Sequence, residues 1–201
     1  PKASSASVAE LTIAHMFSLA RFVGIANVTL REGKWEKKAY KGIELFGKTL
    51  GLVGFGRIAK EVAKRANALG MNVIYTDILG KSDGFDEFKF MTLDEILQNS
   101  DFLSVHVPFI KENGALIKEE QINMMKDGAY IINCARGGVI SETALLKALN
   151  TGKLSGAGLD VFEEEPPKNL ELIRHPKVSV TPHIGASTRS EEHTSELQSQ
   201  P

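Results

Sequence analysis

The chain has 201 residues, 42% of them hydrophobic and 24% charged, and its 24 Lys and Arg against 25 Asp and Glu leave a formal charge of -1. That length can bury a sizeable core, and the balanced charge gives no reason to expect nucleic acid or an anionic membrane as partner, so a small metabolite is the default ligand. The single cysteine, Cys134, excludes an internal disulfide framework and a cysteine-based zinc cluster and fits a reducing cytoplasm; no metal site is expected, and no apolar run approaches the roughly 20 residues a membrane span needs.

In chain order, Pro1 to Ser7 show neither an initiator Met nor an apolar signal core, the look of a chain that begins inside a longer protein. Ser7 and Glu10 read as an S-x-x-E capping box before Val8, Leu11, Met16, Leu19, Phe22 and Val23, whose helical spacing predicts one long, largely buried helix. After the polar turn at Gly33 and Lys34 and a short segment carrying Trp35, short apolar runs alternate with helical stretches. The expected strands are Thr49 to Gly54, Asn72 to Asp77, Phe102 to Val107, Ala129 to Asn133 and Gly156 to Val161, with a sixth near Val178 to Thr181. Gly70 as a stop, a capping box at Thr92 and Glu95, and Ser141 as N-cap with Gly152 as stop delimit the helices between them. Such alternation predicts parallel βαβ units, hence an α/β fold with a doubly wound parallel sheet and helices on both faces. Residues 1–188 read as one domain without repeats or linkers. From Arg189 the polar run RSEEHTSELQS back-translates, with one codon choice, to a string resembling a common sequencing adapter, so residues 189–201 are expected to be a foreign tail.

Gly54-Phe55-Gly56-Arg57-Ile58-Ala59 is G-x-G-x-x-A between a strand and a helix. Gly54 permits the tight turn, Gly56 leaves space for a pyrophosphate, and Ala59 allows close helix–strand packing, while the N–H groups of the helix start at Arg57 and Ile58 face the anion. Asp77 closes the next strand, where a carboxylate binds ribose hydroxyls and repels a 2'-phosphate, so NAD rather than NADP is the expected cofactor.

Three segments sit at or beyond strand ends, where open α/β sheets hold their ligands: Asn133-Cys134-Ala135-Arg136-Gly137-Gly138, Leu159-Asp160-Val161-Phe162-Glu163-Glu164-Glu165-Pro166, and Thr181-Pro182-His183-Ile184-Gly185-Ala186-Ser187-Thr188. In this order they resemble the D-isomer-specific 2-hydroxyacid dehydrogenases, and the resemblance covers essentially all of residues 1–188. It implies an NAD-binding Rossmann domain with Arg136, Glu165 and His183 as the catalytic set. It further implies that Asp160 touches the nicotinamide end and that Val107 and Cys134 line the cofactor groove, with Arg136, His183, Gly185 and Ala186 on the same side. A homodimer formed through the long N-terminal helix and a second, substrate-binding domain are implied as well. Gly33-Lys34-Trp35 and the His183 segment look most like the phosphoglycerate dehydrogenase branch.

The chemistry wants these residue types. Imidazole can take a hydroxyl proton as a hydride leaves and return it in reverse; a carboxylate beside it stabilises the imidazolium and orients the ring; a guanidinium can clamp a 2-oxo acid's carboxylate. His15 and His106 read as structural, Glu163 and Glu164 as solvated, and Cys134 as no nucleophile. The sister branches, glyoxylate and hydroxypyruvate reductases among them, are the alternative for the substrate, and two further rivals share the fold: a non-enzymatic NAD sensor, and a formate dehydrogenase relative, which is disfavoured because Gln stands there in place of Glu165.

Overall fold

A computed structural model describes residues 2–189; the expected foreign tail beyond Arg189 lies outside them. Seven strands form one parallel sheet in the order β3-β2-β1-β4-β5-β6-β7. They are β1 (Thr49–Val53), β2 (Asn72–Thr76), β3 (Lys89–Phe90), β4 (Phe102–Val105), β5 (Ala129–Asn133), β6 (Leu154–Leu159) and β7 (Val178–Val180). The helices are α1 (Lys2–Arg21), α2 (Val23–Arg31), α3 (Arg57–Ala68), α4 (Leu93–Asn99), α5 (Glu119–Met124), α6 (Glu142–Thr151) and α7 (Leu170–Ile173). The chain runs outward from β1 to β2 and β3, then returns to place β4 on the other side of β1. That reversal makes the C-terminal ends of β1 and β4 the topological switch point, the place where a doubly wound sheet opens a crevice for a ligand.

Covered on both faces, the strands are nearly continuous in apolar residues. Alternate side chains serve two cores: Leu103, Ile131 and Ala157 pack with Ile96, Ile122 and Leu145 of α4, α5 and α6. Phe102, Ile132 and Tyr75 pack on the other face with Ala9 and Met16 of α1 and Val62 and Ala66 of α3.

The local signals held in several places. Thr92 Oγ1 accepts a bond from Glu95 N–H in a capping box, and Ser141 Oγ accepts one from Ala144 N–H at the start of α6, which stops at Gly152. Two expectations fail. Ser7 does not cap α1, which starts at Lys2, because the Ser and Ala upstream contain no helix breaker; its hydroxyl pairs with Thr188 Oγ1 at 3.0 Å instead. The long helix is also not continuous to Val23: Phe22 adopts φ 57° and ψ 29°, and α2 leaves at a bend of 64°. Among the described residues no single helix is long and apolar enough to cross a membrane; α1 and α2 pass such a test only as a bent pair. The two-residue β3 was not expected, and β6 begins two residues earlier than its glycines suggested.

Candidate active site

At the end of β1 the chain turns at Gly54, φ +92°, where a Cβ would lie 2.4 Å from the carbonyl oxygen of His106. No other residue fits that turn unstrained. Gly56 caps α3 without a side-chain hydrogen bond, and a Cβ built there meets nothing within 4 Å. The first-turn N–H groups of α3 therefore face an open space with an anion-binding polarity. This space is a groove of about 350 Å³ lined by Gly56, Arg57, Ile58 and Ala59, by His106, Val107 and Pro108 beyond β4, by Cys134, Ala135 and Arg136 beyond β5, and by Ser5 and Val8 of α1. The expected Gly56, Arg57, Ile58, Val107, Cys134 and Arg136 thus share one cleft at the switch point.

Asp77 follows β2 at the rim of that cleft. Its Oδ2 accepts the N–H of Phe55, inside the phosphate loop, at 2.7 Å, and its Oδ1 accepts that of Leu79 at 2.8 Å. The carboxylate therefore holds the phosphate loop, besides being the expected ribose ligand. Ile78 and Leu79 beside it are almost wholly exposed. Cys134 is a wall, not a nucleophile: burial pushes its thiol up to about 12, so no thiolate forms near neutrality.

The second half of the site is built from three loops. Asn133 accepts Ala135 N–H through Oδ1 and donates through Nδ2 to Arg136 O, each at 2.9 Å, which fixes the turn carrying Arg136. Arg136 itself is exposed and donates from Nη1 to Ala135 O at 2.7 Å. Next to it Gly137 lies so close to the following loop that a Cβ would fall 1.7 Å from Phe162 O. Phe162 N–H in turn donates to Glu165 Oε2 at 3.0 Å, while Glu165 Oε1 stands 2.5 Å from His183 Nδ1. Glu165 and His183 are thus a hydrogen-bonded pair, and Gly137 locks the Arg136 turn against the loop that holds them. With Nδ1 committed to Glu165, Nε2 is left to exchange a proton with a ligand. His183 has φ 52°, a sparsely populated backbone for a residue other than Gly that persists only where its surroundings hold it.

Asp160, expected at the nicotinamide, is 1% exposed and takes three hydrogen bonds from the His183 segment: Thr181 Oγ1, Ile184 N and Gly185 N. The structure shows it as the support of that turn. Gly185 is buried against it, whereas Ala186 is exposed, and neither lines the groove. His106, Pro108, Ala135, Ser5 and Val8 were not expected at the groove. The first three neighbour residues that were singled out, so strand-end position could have found them; Ser5 and Val8 arrive on a helix some fifty residues upstream of the loop and carry no local signal.

The family profile described as D-isomer specific 2-hydroxyacid dehydrogenase, NAD binding domain, matches residues 13–185. The chain belongs to this family. It is 50% identical over 191 residues to a hydroxypyruvate reductase of Thermotoga maritima, a match covering 94% of this chain and 62% of that protein. It is 48% identical over 191 residues to a D-3-phosphoglycerate dehydrogenase of Methanocaldococcus jannaschii, covering 94% of this chain and 36% of the relative. A glyoxylate reductase crystal structure from Paecilomyes thermophila superposes with a TM-score of 0.92 at 37% identity, over 98% of this chain and 60% of that one. The chain therefore spans between about a third and two thirds of these relatives. What it carries is the family's NAD-binding domain, and its residues fit the dinucleotide: a glycine with no neighbour where a Cβ would stand, a helix start without a side-chain cap, and a carboxylate bonded to the loop from the end of the next strand.

That rim carboxylate predicts cofactor choice. Asp77→Ala should narrow the preference for NAD over NADP by removing the charge that opposes a 2'-phosphate, and weaken both by leaving Phe55 N–H without its acceptor. Titration of each reduced cofactor checks this; equal affinity of the unaltered chain for both would show that Asp77 does not face the ribose.

The histidines predict how stability responds to acid. Burial holds His106 at about 4, below its ordinary 6.5, and lowers His15 as well, against an opposing pull from Asp160. Both stay neutral in the folded chain while the unfolded chain takes up protons first. The contribution of His106 is therefore complete above about pH 6.5 and is lost as pH falls toward about 4, by up to about 3 kcal/mol, and that of His15 is lost in the same direction. Denaturant unfolding at about pH 7.5 and about pH 5 should show this loss, and His106→Asn should reduce it; an equal loss in both proteins would sink the assignment.

Proposed function

We propose that this chain is the cofactor-binding part of an enzyme that transfers a hydride between NAD and a D-2-hydroxy acid, with 3-phospho-D-glycerate and 3-phosphooxypyruvate, the entry to serine biosynthesis, as its reactant pair. The observation that carries the reaction class is the Glu165–His183 pair, locked to the Arg136 turn at the mouth of the dinucleotide groove. When bound, NAD supplies the hydride chemistry. His183 takes the hydroxyl proton at Nε2 in oxidation and returns it in reduction; Glu165 holds the ring in register and balances the imidazolium. Arg136 swings from Ala135 O to clamp the substrate carboxylate and polarise the adjacent carbonyl. The phosphoglycerate assignment draws support from the relatives of that name, and the hydroxypyruvate reductase at 50% identity favours a second reading, reduction of hydroxypyruvate or glyoxylate. NADH oxidation by the protein completed with its flanking coding sequence, assayed with 3-phosphohydroxypyruvate, hydroxypyruvate and glyoxylate, separates the two. No oxidation with any 2-oxo acid, with NADH still bound, would leave a non-enzymatic sensor of NAD.

We also propose a homodimer. The long N-terminal helix was the expected interface; in α1, Ala9, Met16, Leu19 and Ala20 face the fold while Phe17 is exposed, and a second apolar surface adjoins it. On and after α2 stand the exposed apolar residues Val23, Val28, Leu30 and, 80% exposed, Trp35, of which Leu30 and Trp35 line a hollow of about 300 Å³. Exposed apolar patches of this kind mark association surfaces. Sedimentation should give a dimer; a monomer at assay concentration would remove the proposal.

A further inference from the structure

His15 is buried on α1, 2% exposed, and far in sequence from any of the motifs. Its Nδ1 lies 2.8 Å from Ser179 Oγ and its Nε2 2.9 Å from Thr181 Oγ1. Gly158 of β6 makes room for it, since a Cβ there would stand 2.9 Å from the Cβ of His15. Thr181 Oγ1 donates to Asp160 Oδ1 at 2.8 Å; the same carboxylate accepts Ile184 N–H at 2.8 Å and Gly185 N–H at 2.9 Å.

The donors can be assigned. Asp160 only accepts, so the Thr181 hydroxyl spends its one proton there and its oxygen must accept from His15. His15 Nε2 therefore carries a hydrogen. Burial favours a neutral ring, so Nδ1 accepts from the Ser179 hydroxyl. The chain of bonds runs one way, from Ser179 through His15 and Thr181 to Asp160. It ends on a carboxylate that grips the backbone on the far side of His183, at Ile184 and Gly185, and the side chain two residues before it. His183 sits between these anchors in its left-handed conformation, its own N–H bonded to Thr181 O at 3.1 Å.

We propose that His15 is a positioning residue for His183: through Thr181 and Asp160 it fixes the direction of the hydrogen bonds that hold the 181–185 turn, and so keeps the His183 imidazole against Glu165. Only the catalytic consequence rests on the functional reading above; the hold on the turn does not.

Amide hydrogen exchange of the 201-residue chain tests it. His15→Phe fills the space without either bond, and His15→Gln keeps a donor near the Nε2 position. In His15→Phe the amides of Ile184 and Gly185 should exchange about tenfold faster or more, while those of Leu103 and Ile131 in the core strands are unchanged. His15→Gln should restore most of the protection. Unchanged exchange at the turn, faster exchange everywhere alike, or no rescue by Gln would each overturn the proposal. Should His15→Phe not fold, Thr181→Val breaks the same chain of bonds and should loosen the same two amides. In the unaltered chain, nitrogen-15 spectra should show His15 protonated on Nε2 alone at neutral pH; the opposite tautomer overturns it. In the catalytically complete protein His15→Phe should lower kcat about tenfold, the scale of a misplaced reacting group, with the KM for NADH unchanged. If His183→Asn costs no turnover while the exchange pattern holds, the functional reading fails and the positioning stands.

Discussion

His183→Asn in the completed protein should lower turnover by at least about a hundredfold while leaving NADH affinity nearly intact, the usual scale for a lost general acid–base group. Two features make this substitution a clean probe. Asn tolerates the left-handed backbone at φ 52° better than most residues, so the turn held by Asp160 need not rearrange. The dinucleotide groove is lined by the phosphate loop, by the segments after β4 and β5 and by Ser5 and Val8 of α1, and the His183 side chain is not among its lining, so cofactor binding should change little. On the proposed mechanism, what is lost is the group that moves the proton of the reacting hydroxyl. Steady-state rates in both directions, beside a fluorescence titration with NADH, check the split. Near-normal turnover would remove His183 from the mechanism; equal losses in turnover and NADH binding would make it a structural residue of the groove.

The parts legible in the sequence were those whose physics is local. The places of Gly54, Gly56 and Asp77 were legible because a strand, a tight turn and a helix start within a few residues leave few alternatives, and Asp77 bonds to the loop itself. Arg136, Glu165 and His183 were singled out by the family resemblance of segments at strand ends, and parallel topology brings the ends of β5, β6 and β7 side by side. What pattern could not show was contact across the chain. Nothing near His15 in sequence says that it reaches Thr181, 166 positions away, nor that Asp160 spends its carboxylate on a turn rather than facing open solvent. The helix break at Phe22 was hidden for a different reason: helical apolar spacing runs through it, and only the backbone of one residue departs. Ser7 misled because S-x-x-E also occurs in helix interiors, where the serine is free to bond elsewhere, here to Thr188.

The chain as printed should bind NADH yet fail to turn over a 2-oxo acid at a measurable rate. The groove and its phosphate loop are formed within residues 2–189, and the Glu165–His183 pair is in place. Hydride transfer also needs the reactant held within about 3.5 Å of its partner and water kept out, contributions that can exceed the acid–base term itself. Here the side chains of His183 and Glu165 are 53% and 35% exposed, and Arg136 is exposed with its guanidinium turned back on Ala135. A substrate would meet catalytic groups on one side and solvent on the other, and the charge–charge attraction that should hold its carboxylate is screened by that water. The relatives extend well beyond the stretch this chain matches, which leaves room for the covering wall in the completed protein. Trimming after Thr188 should change neither NADH binding nor activity, because the residues beyond it read as foreign. Fluorescence titration with NADH and a hydroxypyruvate phosphate reduction assay on both lengths decide the matter: robust turnover by the 201-residue chain would show that the open cleft suffices, and loss of binding on trimming would make the tail part of the fold.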